Sequence, residues 1–363
     1  MNKNKLSFAK NKSIQTWVNI NPKSQLIQTF NRFFNKKTNY VLVSLTILIM
    51  LLIIFSLIFY PYSPSNSIIN SSLIYNLPPK HSPNVTLTLE NDQLYQTIKD
   101  IESNTDFKLL SDVKHTSFVT ITYNSYDLIK YANYLATGVE LNINSILGTN
   151  SLGIDNYSFF IHSFAISVLI TLSAVLIQLA LGSFLGVLIG YSANKSLKIP
   201  YYIISSISTV PYIIIALLLF NSIGYNHLKA LLILGFIGIP QFFFSSYSYT
   251  QTIKNQEYVL ASKAIGANYF RIVIILIWKE VLFKQISLFS ENVSITLLIL
   301  ASLSFFNAKD INLYLNIGNV FKQVIDNFKN YSFSLMVIII TALYIILLKL
   351  LGINIYLSLN PKN

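Results

Sequence analysis

The stretch "YVLVSLTILIMLLIIFSLIFY", Tyr40 to Tyr60, contains no charged residue. About 20 apolar residues in a helix match a hydrocarbon core of roughly 30 Å. The run starts too far into the chain, and runs too long, for the apolar core of a cleaved signal. It reads as a membrane span. Five comparable stretches follow: Phe164–Tyr191, Tyr201–Phe220, Ala230–Tyr249, Ile286–Phe306 and Phe333–Leu351. The stretch from Phe164 exceeds the minimum length, so it tilts or protrudes. Composition agrees: 11% of the 363 residues are charged and 53% are hydrophobic. A soluble chain of this length needs more charge to cover its surface. The expected fold class is an all-α polytopic membrane protein with six transmembrane helices. The absence of cysteine excludes disulfides and thiolate metal sites.

The net charge of +12 raises the question of nucleic acid, but its distribution answers it. Residues 1–37 carry eight Lys/Arg and no acid, whereas 61–158 carry nine of the 14 acids and five lysines. Asymmetry across the first apolar run is the signature of membrane topology, not of a phosphate-binding face. With the basic N-terminus inside, six spans return the C-terminus inside. Lys195 and Lys198 of the 192–200 loop then face the cytoplasm, as do Lys254, Lys263, Arg271, Lys279 and Lys284 of the 250–285 loop. The outer loops, 221–229 and 307–332, carry lysines as well, but Asp310 and Asp326 offset those of the second.

The first outer segment, 61–158, is too long for a plain loop. "NVTLTLE" at 84–90 alternates, with Val85, Leu87 and Leu89 on one face. "NDQLYQTIKDIES" places Leu94, Ile98 and Ile101 at helical spacing, with Asn91 or Asp92 as cap. A second strand-like run, "SFVTITY", lies at 117–123, and "SYDLIKYANYLATG" reads as a helix ending at Gly138. These patterns predict a small α/β insertion outside the membrane, between spans 1 and 2. Pro211, Gly235, Gly238 and Pro240 interrupt later spans, where they either kink helices or let backbones approach.

The cytoplasmic loop carries the densest pattern: "EYVLASKAIGANYFR", Glu257 to Arg271. It predicts two short helices broken near Gly266, where a backbone turn is disfavoured for any residue with a Cβ. Tyr258, Ala261 and Ile265 fall on one stripe, with Glu257 and Ala264 beside it. Ala261, Ser262 and Ala264 are small enough for close approach to another surface. A short helix fitting a partner's groove is a common mode of recognition. Beyond the glycine, Tyr269, Ile272 and Val273 lead back towards the bilayer.

This loop resembles that of the inner-membrane permeases of binding-protein-dependent ABC importers. Their pattern is Glu-Ala-Ala followed by a glycine, and Glu257, Ala261, Ser262 and Gly266 stand at the corresponding places. In the peptide-importing branch the loop reads "EYVxAAxxxGAxxxRII"; here it is "EYVLASKAIGANYFRIV". "LGTNSLGID" at 147–155 resembles the "LGTDxxGRD" before the second span of the second, C-type, permease of oligopeptide and dipeptide importers. "SLSFF" at 302–306 resembles "SLSFLG", and "LLGINIYLSLNPK" at 350–362 resembles "LLGDGLRDALDPR". The resemblance does not cover 61 to about 145. Departures are Ser262 for the second alanine, Trp278-Lys279 for Leu-Pro, Ile154 for the arginine of "GRD", Leu300 for an acid, and a terminal motif short of its charges.

The resemblance implies that Glu257, Tyr258, Val259, Ala261, Ser262, Ala264, Gly266, Ala267 and Arg271 dock on an ATPase subunit. It also implies a second homologous permease, two ABC ATPases and an extracytoplasmic substrate-binding protein as partners, with oligopeptides as cargo. The expected organisation, from pattern and resemblance together, is a basic cytoplasmic segment 1–39, span 40–60, an extracytoplasmic α/β domain 61–158, a permease domain 159–352 with its cytoplasmic loop 250–285, and a cytoplasmic tail 353–363. All of it sits in the cytoplasmic membrane.

No catalytic residue, directly bound cofactor, metal or nucleic acid is expected. "GTNSLG" at 148–153 has P-loop glycine spacing, but Ile154-Asp155 stands where Lys-Ser/Thr is needed, so ATP is hydrolysed by partner subunits. The four histidines are scattered. Glu291 is the acid placed within a span, roughly 6–8 Å along its helix. It either lines a translocation pathway with Ser294 or pairs with Lys284 at the boundary. Asn292 and Thr296 either extend that polar surface or bond neighbouring helices. The residues leave room for another cargo, such as a nickel chelate. A membrane receptor or assembly factor with an outer binding domain is the reading from a different class.

Overall fold

The computed structural model describes residues 25–89, 93–115, 118–192, 198–328 and 330–359. Asn91, Asp92, Lys195, the end of the terminal motif and most of the basic N-terminal segment lie outside the described residues. A short helix α1 (Gln25–Phe34) leads into α2 (Lys37–Phe59), which contains nearly all of the opening apolar run. Asn39 fixes the bend between them: its buried side chain donates to the Phe33 carbonyl at 2.7 Å.

Between α2 and the remaining long helices the chain builds β1 (Asn84–Leu89), α3 (Gln93–Asn104), β2 (Ser111–Lys114), β3 (Val119–Asn124) and α4 (Ser125–Thr137). The sheet is antiparallel in the order β1-β3-β2. Val119, Ile121 and Tyr123 of β3 point to one side, onto Tyr95, Ile98 and Ile101 of α3 and Leu128 of α4. The Asn124 side chain caps α4, and Gly138 closes it at φ +72°. β2 has no alternation to betray it; all four residues are exposed. Lys99 ties it to α3, reaching Glu102 at 2.7 Å and Asp112 at 2.8 Å. Hydrogen bonds from Lys99 hold both carboxyls below their ordinary range and raise the lysine.

The helical body follows: α5 (Asn156–Tyr191), α6 (Ile199–Ser208), α7 (Tyr212–Ile223), α8 (His227–Ile237), α9 (Ile239–Ile253), α10 (Glu257–Ala264), a π-helical segment (Arg271–Trp278), α11 (Lys279–Phe305), α12 (Ile317–Asp326) and α13 (Tyr331–Leu359). Among the described residues, four helices are long and apolar enough to cross a membrane: α2, α5, the unit His227–Ile253 and α13. The pair α6 and α7, bent by 90°, makes a fifth if it counts as one broken span. The expected span Tyr201–Phe220 falls on this pair, broken at Pro211, one of the interruptions expected from the sequence. Pro211 cannot donate a backbone hydrogen bond, and the chain breaks at Thr209–Pro211. Pro240 breaks nothing, because it occupies the first turn of α9. The stretch Ile286–Phe306 lies almost entirely in α11.

Helix α5 has 36 residues, hence a length of about 54 Å. Its first turn begins at Asn156, earlier than the apolar run suggested. Gly182, Gly186 and Gly190 recur at every fourth residue and meet α9. An added Cβ at Gly186 would sit 2.5 Å from the Phe243 carbonyl oxygen, and one at Gly182 2.8 Å from that of Ile239. Small residues at this spacing let two helix backbones approach where apolar burial offers no drive. Gln251 of α9 adds a hydrogen bond to the Gly190 carbonyl at 2.9 Å, and Gln285 of α11 donates to the Phe242 carbonyl at 3.1 Å. These contacts fix α9 and α11, between which the Glu257–Arg271 loop hangs.

Candidate coupling site

The loop folds as its local chemistry requires. Gln256 precedes α10 and its carbonyl accepts from Val259 and Leu260 at 3.0 and 3.1 Å. Glu257 sits in the first turn and Lys263 in the last, each opposite in sign to the helix end it occupies. The helix ends as Ile265 donates to Ala261 at 3.0 Å and Ala267 to Ser262 at 3.0 Å. Gly266 then takes φ +86°, and nothing lies within 4 Å of a Cβ built there. Glycine is needed for the backbone turn, not for space. The Asn268 side chain accepts from Arg271 N at 2.8 Å and opens the π-helical segment.

Val259 turns inward, packing with Val187, Ile253, Ile272, Val273, Ile277 and Val281. The rest of α10 faces out. Glu257, Tyr258, Leu260, Ala261, Ala264, Ile265, Gly266 and Arg271 are exposed, and Ser262 and Ala267 are half-buried. Ile265 is 87% exposed, Phe270 66% and Leu260 52%. Apolar side chains grouped on a polar loop mark an interaction surface. The expected stripe of Tyr258, Ala261 and Ile265 is open; Leu260, on another face of α10, and Phe270, beyond it, are exposed as well, which periodicity alone passed over. Tyr258 reaches back, its hydroxyl donating to Glu280 Oε2 on α11. The backbone stays helical through Trp278 and Lys279, and the Trp278 indole donates to Ser183 Oγ of α5 at 2.9 Å.

The turn 147–155, expected outside the membrane, is built in the opposite manner. Thr149 Oγ1 accepts from Leu77 N at 2.9 Å, and Asn150 Oδ1 accepts from Leu152 N and Ile154 N at 2.9 and 3.0 Å. Gly148 and Gly153 take φ +71° and +73°. Asp155 is fully buried and caps α5 through Ser158 N at 2.7 Å. It also accepts from Ser145 Oγ at 2.5 Å and the Tyr60 hydroxyl at 3.1 Å. Burial raises its carboxyl above the usual carboxylate range, against the pull of these donors.

The two intramembrane candidates separate. Glu291 is exposed and opens on a groove of 220 Å³ shared with Ser287, Ser290, Lys349, Gly352 and Tyr356. Its alternative partner is taken: Lys284 pairs with Glu280 at 3.3 Å. Ser294 is half-buried and donates to the Ser290 carbonyl of its own helix at 3.0 Å. Thr296 joins neighbours instead, receiving Gln178 Nε2 at 3.3 Å, while the same nitrogen donates to the Leu234 carbonyl at 2.9 Å. A cavity of 1020 Å³ lies between the 150–154 turn and α12, lined among others by Asn150, Asn319, Lys322, Gln323 and Asp326.

Residues 182–363, which contain α9, the exposed loop, α11 and α13, match the profile of a family described as the binding-protein-dependent transport system inner membrane component. The chain belongs to this family. It is 28% identical over 130 residues to the di/tripeptide transport system permease protein DppC of Pseudomonas aeruginosa, covering 36% of this chain and 43% of that protein. With the dipeptide permease DppC of Bacillus subtilis it shares 32% identity over 129 residues, 35% of this chain and 39% of the relative. The glutathione transport system permease protein GsiD of Pectobacterium atrosepticum is 25% identical over 180 residues, 50% of this chain and 60% of the relative. Each match spans less than two thirds of the relative's own length.

Proposed function

We propose that this family member is a permease subunit of an ATP-driven importer of short peptides. The observation that carries the reading is α10: an exposed short helix, followed by the open side chains of Ile265 and Phe270, anchored by Val259 and turned back by Gly266. Such a helix offers an ATPase subunit a surface to grip and is tied to the bundle through Val259 and the Tyr258 hydroxyl. ATP hydrolysis belongs to two ATPase partners. A second permease completes the pathway, and an extracytoplasmic binding protein delivers cargo. The printed names of the relatives, for dipeptides, di/tripeptides and glutathione, support a short peptide.

The topology proposed has six spans: the four long helices, the bent pair α6–α7, and α11. Both termini and the 250–285 loop lie in the cytoplasm, and the α/β insertion lies outside with the 147–155 turn and the outer cavity. Glu291, with Ser294 one turn further on, is proposed to face the translocation pathway, because an ionised side chain is costly against lipid.

Reconstitution with the ATPase subunits tests the reading. Glu257→Lys and Gly266→Val are expected to lose ATPase-subunit capture and peptide uptake while membrane insertion persists. Normal capture by both variants would remove α10 as the docking element. Labelled di-, tri- and longer peptides in the same vesicles then fix the cargo length.

A further inference from the structure

Docking at α10 moves nothing unless the helix is fastened to a span. Val259 fastens it through apolar contact, which resists separation but leaves sliding and rotation free. A directional link is also present. The Tyr258 hydroxyl donates to Glu280 Oε2, and the other oxygen of the same carboxylate faces Lys284 Nζ at 3.3 Å. Lys284 Nζ in turn lies 5.4 Å from the ring centroid of Tyr249 on α9. One carboxylate therefore joins α10 to the base of α11, and its lysine reaches the end of the helix that feeds the loop. Glu280 lies one residue beyond Lys279, where the π-helical segment gives way to regular α-helix.

We propose that Glu280 is a positioning residue that transmits the motion of the docked helix to α11, with Tyr258 as its contact on α10. The inference rests on α10 being the ATPase docking element. The carboxylate is suited to the task because hydrogen bonds to a charged group are short, strong and directional. Lys284 holds the other carboxylate oxygen. The polar link crosses 22 residues of sequence, and no motif spacing announces it.

The test uses the complete transporter in vesicles and measures ATPase-subunit capture, ATP hydrolysis and peptide uptake side by side. Glu280→Ala is expected to keep capture and lower uptake per ATP hydrolysed about tenfold, the scale of a lost charge-assisted hydrogen bond. Tyr258→Phe combined with Glu280→Ala is expected to be no worse than Glu280→Ala alone, since both remove one link. Glu280→Gln keeps a carbonyl oxygen for the Tyr258 hydroxyl and is expected to restore most of the uptake per ATP. Unchanged uptake per ATP in Glu280→Ala, additive losses in the double variant, or no recovery in Glu280→Gln would each overturn the proposal. Loss of capture in Glu280→Ala would also overturn it, by making Glu280 part of docking. Failure of the docking reading itself shows separately, as normal capture by Glu257→Lys and Gly266→Val.

Discussion

The turn 147–155 and the loop 257–271 both resemble motifs of one permease family, yet the structure uses them in opposite ways. In the outer turn nearly every polar group is spent within the chain: Asp155 has three donors, Thr149 and Asn150 hold neighbouring backbone, and Leu147 accepts from Asn156 and Asn330. In the inner loop Val259 turns in while Leu260, Ile265 and Phe270 point away from the body. A recurring motif can therefore mark a place where the chain completes itself or a place where it waits for a partner. Internal satisfaction of its groups tells the two apart.

The largest expected effect follows from that difference. Asp155→Ala removes a helix cap and leaves the Tyr60 hydroxyl without its acceptor, while Ser145 Oγ keeps the Gly148 carbonyl at 2.7 Å. A loss of about 2 kcal/mol or more is expected from the cap and the orphaned Tyr60 hydroxyl together. Thermal unfolding in detergent should show it, along with poor accumulation in the membrane. Glu257→Lys, in the open loop, is expected to stay within about 0.5 kcal/mol of the parent. A stable Asp155→Ala protein with defective uptake would collapse the distinction between the regions.

The glycines sharpen the same contrast. Gly148 and Gly266 both have positive φ, +71° and +86°. A Cβ at Gly148 would collide with the Leu77 carbonyl, whereas one at Gly266 meets open space. Gly266→Ala is expected to cost only the left-handed backbone strain, roughly 1–2 kcal/mol. Gly148→Ala adds backbone displacement and should melt distinctly lower in the same assay. Equal melting temperatures would mean that the outer turn yields as easily as the inner one.

Protonation tests the outer region from two sides. Asp155 has a raised carboxyl pKa, so its contribution to stability is full at low pH and falls as pH rises through the folded value. Glu102 and Asp112 have lowered values, so theirs is full above the ordinary carboxylate range and is lost as pH falls through the folded values. Corrected amide exchange below about pH 3 against pH 7 should therefore show α3 and β2 loosening in acid while the first turn of α5 does not. The effect at the Lys99 cluster is expected to be about 1 kcal/mol, since the groups are partly exposed.

What the sequence made legible follows the range of the forces involved. Apolar length located the cores of α2, α5 and α13, and the break at Gly266 was readable because a positive φ is a local demand. The bend at Thr209–Pro211 was readable only as an interruption. Pro211 and Pro240 both stand at the start of a helix, and their neighbours decide that the chain bends by 90° before α7 while α8 and α9 remain one span-length unit. β2 is too short and too exposed to carry a period. The stripe Gly182, Gly186 and Gly190 was a regular signal hidden inside an apolar run. Glu280 was invisible, because its meaning lies in a tyrosine 22 residues away and in the turn that brings them together.

The smallest effect is expected at Ser262, where the family pattern has alanine. Its hydroxyl donates at 2.8 Å to the Tyr258 carbonyl of the preceding turn, a bond that holds no second element. Such back-bonding slightly weakens a helix, and alanine is the better helix former by roughly half a kcal/mol. Ser262→Ala is therefore expected to leave stability and ATPase-subunit capture within error of the parent. Ser262→Leu keeps helical propensity but adds bulk to the face proposed to dock, and should cut capture strongly. If alanine lowers capture as much as leucine does, the hydroxyl itself makes a contact, and small size is not what this position of the open loop requires.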